Sequence, residues 1–458
     1  MADSSGTKAR ALRNWPRWLW ASLTAVLVAL LTLLGGGKSI TAAYKSFTET
    51  DRIIEISAAL SGAAKDSLPV TLIKIDDETM ANWGGPQITP HAALAELIRI
   101  AEQGGARAVI VDIDLAPEDV TTPADPALVE AITKSTLTDP PVMFVRSFRA
   151  GSVNADQPGR APTMANPTPY DGVFAQTGKA MWVSVLTPLS ADRIVRRLRL
   201  WQTLCAGADG VTYPSPALVV AARFGAAGDR SADLTRFLAE QVDRHCKRLD
   251  AAQSNWPHRL SSDVAIQYMF NADTEEATAK TVDHQGAEVP VFKQIPAWAL
   301  VRLEAGRAMA AGDIHPQAFK DRIVVIGVTH ANSHDVYATP LGSQPGAVIL
   351  ANTVAAASAM ATMPEASPLV EILIAVSIFA VLAFISYNFQ LAPSAFIAGL
   401  ITVAAALVLS RLFGFEVAIR IIAVTLTLFI LHKFFDSLAG IIYDWSHGKG
   451  WRSLLKTH

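Results

Sequence analysis

Four apolar runs, one near the N-terminus and three near the C-terminus, constrain this 458-residue chain more than any other feature. A bilayer core is crossed by a helix of roughly 20 mostly apolar residues. Trp18–Leu34 is the first such run. It is entered through Trp15, Trp18 and Trp20 and preceded by Lys8, Arg10, Arg13 and Arg17. A basic flank, an aromatic belt and an apolar stretch predict a membrane helix over 18–40, with residues 1–17 in the cytoplasm. Thr41-Ala42-Ala43 would also suit a signal peptidase, but the long run and its tryptophans favour an uncleaved anchor. Leu369–Ser386, Pro393–Ser410 and Phe415–Phe435 follow near the other end, separated by very short connectors. They predict three hairpinned spans across 369–435. Counting crossings places 41–365 outside and the tail 436–458 inside, where Lys449, Arg452 and Lys456 agree with the positive-inside rule.

Composition supports an anchored domain. Hydrophobic residues make up 51% and charged residues 17%, and the apolar excess lies at the ends. A formal net charge of −2 provides no global basic field, so the expected partner is the lipid bilayer and not nucleic acid. Cys205 and Cys246 both fall in the outside region, where a disulfide can form; two separate buried thiols are the alternative. No CxxC and no zinc-spaced Cys/His cluster occurs, so neither metal nor cofactor is expected.

The central region alternates strand-like and helix-like segments. Pro69–Ile75 reads as a strand that ends in Asp76-Asp77-Glu78. His91–Gln103 reads as a helix closed by Gly104-Gly105, and Ala108–Ile113 as a buried strand with Asp112 and Asp114 at its end. This β-α-β unit predicts parallel strands. A short helix at Asp125–Thr133 and a strand at Pro141–Phe148 come next, then a Pro/Gly/Asn-rich loop at Gly151–Tyr170. Ala180–Leu186, Ile194–Trp201 and Val264–Phe270 read as further strands, and Pro214–Arg223 and Pro296–Ala311 as helices. Arg223–Pro257 is charged and reads as an insertion. Asp321–Asn352 completes the pattern: a buried strand at Ile323–Val328, a polar loop to Asp335 and Tyr337, turns at Thr339–Gly342 and Pro345-Gly346, then a small-residue helix from Ala347 to Ala361. Gly327 would let the backbone turn or approach a neighbour closely. The expected fold is a three-layer α/β domain with a mainly parallel sheet, plus about four transmembrane helices.

Asp76, Asp77, Asp112, Asp114 and Asp335 all lie where strands end, with Thr339 nearby in sequence. Carboxyl ends of strands face the ligand crevice in open α/β sheets, so these six residues form the candidate ligand site. Helix caps and loop ties are the competing explanation for each aspartate. No Gly-x-Ser-x-Gly elbow and no HExxH occurs, and Ser215 lies in Pro-Ser-Pro. The expectation is therefore a protein that is not an enzyme. His330 and His334 are spaced for a helical metal pair, but Asn332, Ser333 and Gly327 around them predict a loop.

With these residues in view, the region resembles CHASE domains of the second type, the extracytoplasmic sensory domains attached to cyclases and histidine kinases. The matching stretches are LIKIDDETMANWGG (72–85), HAALAELIRIAEQGGARAVIVDIDLAPE (91–118), ADPALVEAI (124–132), PSPALVVAARF (214–224) and FKDRIVVIGVTHANSHDVYATPLGSQPGAVILAN (319–352). Members typically carry one membrane helix before the sensor and three after it. The resemblance implies a bacterial signalling subunit in the inner membrane, multi-pass, with a large periplasmic domain. Family members usually continue into a kinase or cyclase, whereas Asp436–His458 alone follows the last run. The expected output is therefore a separate protein, with homo-oligomerisation an open option. A structural subunit of a membrane complex and a membrane-tethered hydrolase are the alternatives.

Overall fold

The computed structural model describes most of residues 67–358, leaving out mainly 117–122, 151–162, 247–262 and 312–317, together with a helix at Pro368–Asn388 and scattered positions from 400 to 434. Residues 51–362 form one compact unit; 1–50 and 363–458 form another.

The first unit is built on six strands: β1 (Val70–Ile75), β2 (Ala108–Asp112), β3 (Val142–Val145), β4 (Ala180–Val183), β5 (Phe292–Pro296) and β6 (Ile323–Val328). They pair in the order β5-β1-β6-β2-β3-β4, every neighbouring pair parallel. Sequences such as VTLIKI, AVIVD and IVVIGV are near-continuous apolar runs because both faces of the sheet are covered. The helices of this unit are α1 (Asp77–Asn82), α2 (His91–Gln103), α3 (Pro126–Thr133), α4 (Asp171–Thr177), α5 (Pro216–Phe224), α6 (Ser231–Cys246) and α7 (Gly346–Ala355); α8 (Pro368–Asn388) belongs to the other unit.

Side chains alternate across a strand, so each strand feeds two cores. Val70, Leu72, Ile110 and Val325 pack with residues of α5 and α7. Ile73, Ile75, Val109, Val111 and Ile326 pack with residues of α2, α3 and α4. The result is three layers, helix–sheet–helix, as expected. At the amino end of β6, buried Arg322 donates through Nε to Thr71 Oγ1 at 2.7 Å and through its terminal nitrogen to Val70 O at 2.7 Å. Burial pushes its guanidinium down to about 10. In α7 the side chain of Asn352 is fully buried. Its Oδ1 accepts from the backbone N–H groups of Met269 and Phe270 at 2.7 and 3.2 Å, and its Nδ2 donates to Phe270 O and Val348 O at 3.0 Å each.

Several local expectations are corrected. Pro296–Ala311 is not a helix. One 3-10 turn at Ala297–Ala299 leads into an antiparallel hairpin, Val301–Glu304 with Arg307–Ala310. Val301, Arg302, Leu303 and Glu304 alternate between buried and more exposed, the period of a strand with one wet face. The strand expected over Ile194–Trp201 shrinks to Arg197–Arg199, and that over Val264–Phe270 to Asp263–Ala265; these two pair with each other outside the main sheet. Trp201–Ala206 and Asp209–Pro214 form a separate hairpin. The charged insertion contains α6, whose Phe237 meets Trp201 edge-on at 4.9 Å between ring centres. Edge strand β5 had no counterpart in the sequence reading. Cys205 belongs to the hairpin and Cys246 closes α6, but their side chains lie outside the described residues.

Among the described residues no helix passes as long and apolar enough to cross a membrane. The nearest by composition is α8, with 21 residues and Glu371 its sole charge; at 1.5 Å per residue it is ~31 Å long. The expected spans at 18–40, 393–410 and 415–435 lie wholly or largely outside the described residues.

Replacing Asn352 by Leu keeps the branching at Cγ but strands two backbone N–H groups and a carbonyl. The expected cost is about 3 kcal/mol, read as a lower melting temperature of the purified full-length chain. An unchanged melting curve would show that the loop finds other partners.

Candidate functional site

Strands β1, β6 and β2 lie side by side, but their exits diverge. The chain leaves β1 and β2 toward α2 and α3 on one face, and leaves β6 toward α7 on the other. A crevice opens at the carboxyl ends where neighbouring connections part in this way.

The register fixes what lines it. Lys74, Gly327 and Asp112 sit in one row across the three strands. By alternation this row faces the α7 side. Gly327 carries no side chain because α7 begins directly above it: a Cβ there would lie 2.5 Å from Ala347 Cβ and 3.4 Å from Asp112 Cβ. The first turn of α7 is thus set down between Lys74 and Asp112. Asp335 approaches the same turn from the loop. Its backbone carbonyl accepts from Gly346 N at 2.8 Å, and its carboxylate occupies the space that any side chain on Gly346 would need. Pro345 supplies no side-chain cap to α7. Negative charge near a helix start is favoured by the helix dipole.

The two carboxylates are electrostatically coupled. Asp112 is half-buried; burial, with Asp335 adding to it, pushes its carboxyl up to about 7. Burial also raises Asp335, against the hydrogen bond from Tyr337. The Tyr337 hydroxyl is pushed up to about 12, first by burial and then by Asp335 and Asp112. Lys74 does not neutralise the pair, since its ammonium turns to Asp76 at 3.2 Å.

The remaining expected site residues are engaged in the scaffold. Asp76 caps α1, accepting from Thr79 N at 2.9 Å and Thr79 Oγ1 at 2.7 Å. Burial raises its carboxyl, but these bonds and Lys74 outweigh burial and leave it below the usual range. Asp77 accepts a long 3.4 Å bond from Ala331 N, tying α1 to the loop after β6. Asp114 accepts from Ala116 N and Ser147 Oγ, both at 2.9 Å. Thr339 closes the turn of the hairpin Val336–Thr339/Gly342–Pro345, donating to Gly342 O at 2.7 Å. Ser215 caps α5, accepting from Leu218 N at 3.2 Å. The structure therefore brings Asp112 and Asp335 together over α7, with Asp76 and Asp77 at the crevice rim. It adds three residues that the sequence site omitted: Lys74, Tyr337 and Gly346. The period-2 pattern of VTLIKI was the available signal for Lys74, since it puts that residue on the same face as Leu72. Among the described residues no group of three or more His, Cys, Asp or Glu is arranged to hold a metal. Chemically, the pair can hold and release a proton near neutrality and can exchange hydrogen bonds with a polar ligand.

Gly327→Ala is expected to lift α7 off the sheet and lower stability by about 2 kcal/mol. Ala347→Gly in the same chain removes the colliding atom and should recover at least half of the loss. Melting temperatures of both variants test this; no recovery in the double variant would place the clash elsewhere.

The family model of the CHASE2 domain matches residues 23–386. No curated protein and no solved structure gives a significant match. That match takes in the whole described sheet, the crevice and α7, and the chain belongs to the CHASE2 domain family, a family of extracytoplasmic sensory domains.

Proposed function

We propose that this chain is a multi-pass inner-membrane sensor. Its domain at 41–365 lies in the periplasm and receives a stimulus at the crevice. Its apolar segments pass the change to a separate output partner. The observation that carries this reading is the seat of α7. The first turn of that helix rests on Gly327 between Lys74 and Asp112 and against Asp335. In sequence, only residues 356–367 separate α7 from α8. A change at the crevice that shifts this helix start has a short stretch of chain to travel before the apolar segments begin.

Family membership favours sensing over catalysis, and Ser215, set in Pro-Ser-Pro and not in a nucleophile elbow, caps α5. The four apolar runs and the basic residues flanking the first and following the last support the membrane arrangement.

The proposed compartment has two readouts. Alkaline phosphatase, which is active only outside the cytoplasm, should be active when fused after residue 62 and silent when fused after residue 445. In the same chain Cys205 and Cys246 should resist alkylation until a reductant is added. A silent fusion at 62 with an active one at 445 would reverse the topology. The crevice is tested separately. Asp112→Asn combined with Asp335→Asn in the native gene should reproduce the phenotype of a deletion while the protein remains at normal abundance in the membrane. A wild-type phenotype would remove the crevice from the signal path.

A further inference from the structure

The Asp335 carboxylate lies against Gly346 at the start of α7 and Asp112 stands beside Gly327 beneath it; neither is paired with a Lys or Arg among the described residues. The surrounding groups are accounted for element by element. From β1, Lys74 pairs with Asp76. From α1, Asp77 reaches Ala331 N and Glu78 is exposed. From the end of β2, Asp114 binds Ala116 N and Ser147. From the hairpin, Tyr337 bonds Asp335. The loop after β6 contributes half-buried His330, and also His334, which is outside the described residues. The whole of α7, GAVILANTVA, has no ionisable side chain. Among the described residues, α7 offers the pair no cationic side chain, only the partial positive charge of its first backbone N–H groups.

Space is as restricted as charge. Asp335 fills the volume next to Gly346, and Asp112 Cβ stands 3.4 Å from where a Gly327 side chain would begin. Any repulsion between the carboxylates therefore bears on Gly346 and Ala347. We propose that Asp112 and Asp335 form a proton-operated latch on α7: with one proton shared between them the helix start seats on Gly327, and loss of that proton loosens it. The stimulus class is then acidification of the surrounding compartment. This deepens the sensor reading and rests on it for the meaning of the signal, although the latch itself is a property of the domain.

The direction of the pH effect follows from linkage. The seated state holds Asp112 at about 7, whereas an exposed aspartate titrates near 3.9. The seated state therefore binds protons more tightly than the open one. Its extra stability is complete below the ordinary carboxylate range and is lost as pH rises through about 7. Acid closes the latch and alkali opens it.

Hydrogen exchange on the full-length chain in lipid nanodiscs reads the latch directly, with rates corrected for the chemical pH dependence of exchange. Protection of residues 346–352 is expected to fall about tenfold between about pH 6 and about pH 8.5, the factor carried by one unit of proton affinity. Protection of 142–145 in β3 should stay constant. Asp112→Asn should hold 346–352 protected at every pH, and Asp335→Asn gives the same reading if the first variant folds poorly. A combined His330→Asn, His334→Asn variant should keep the wild-type profile. Flat wild-type protection overturns the proposal, as does a wild-type profile in both carboxylate variants or a profile abolished by the histidine variant. A working latch together with a silent phenotype of the double Asn variant would overturn the sensor reading alone. A flat profile together with a deletion-like phenotype would overturn the latch alone.

Discussion

The packing of Ala347 on Gly327 is the contact on which the crevice depends. A parallel sheet covered on both faces leaves little room at its strand ends, and here one residue without a side chain lets a helix start almost on the strand itself. Everything that gives the site its character follows from that closeness. It brings Asp112 and Asp335 to the same helical turn. It withdraws both from water far enough to change how tightly they hold protons.

The two ends of β6 are built differently. At the amino end, a buried Arg322 reaches across to β1 and satisfies Thr71 and the Val70 carbonyl, and Thr71 in turn donates to Ala318 O at 2.8 Å. These are fixed donors and acceptors that no change near neutral pH disturbs. At the carboxyl end the comparable positions carry groups whose charge state is open to change. A strand held firmly at one end and titratable at the other is suited to confining a response to one place.

Much of this was legible in the sequence. Buried β-branched runs announced β1, β2 and β6, and the β-α-β spacing gave their parallel sense. The carboxylates at strand ends marked the right edge of the sheet. The sequence could not say which aspartates were caps, because a cap and a ligand carboxylate are the same residue at the same place. Asp76 is taken by the backbone N–H and hydroxyl of Thr79, three residues on, and no such bond to Asp112 is seen among the described residues; only the register across β6 sets Asp112 under α7. Local pattern misled at Pro296–Ala311, where a Pro followed by Ala-Trp-Ala-Leu imitates a helix start while Val301–Glu304 carries strand alternation. Strand β5 was missed because, at the edge of the sheet, FKQIP carries Lys293 and Gln294 and so lacks the continuous apolar run of the inner strands.

The strand order has a consequence for how the molecule is made. β6 is the last of the six sheet strands in the sequence, yet it lies between β1 and β2, and the bond from Arg322 to Thr71 closes a separation of 251 positions. Contacts this remote make folding slow, since the chain must give up a large loop's freedom before any pairing rewards it. Until β6 arrives, the facing edges of β1 and β2 stay unpaired, and such edges invite pairing with other chains. A chain that emerges N-terminus first thus completes its sheet only after nearly the whole domain has emerged. Assembly of the crevice is then the closing event of folding, and a chain cut short before Ile323 lacks the middle of its sheet, not merely an edge.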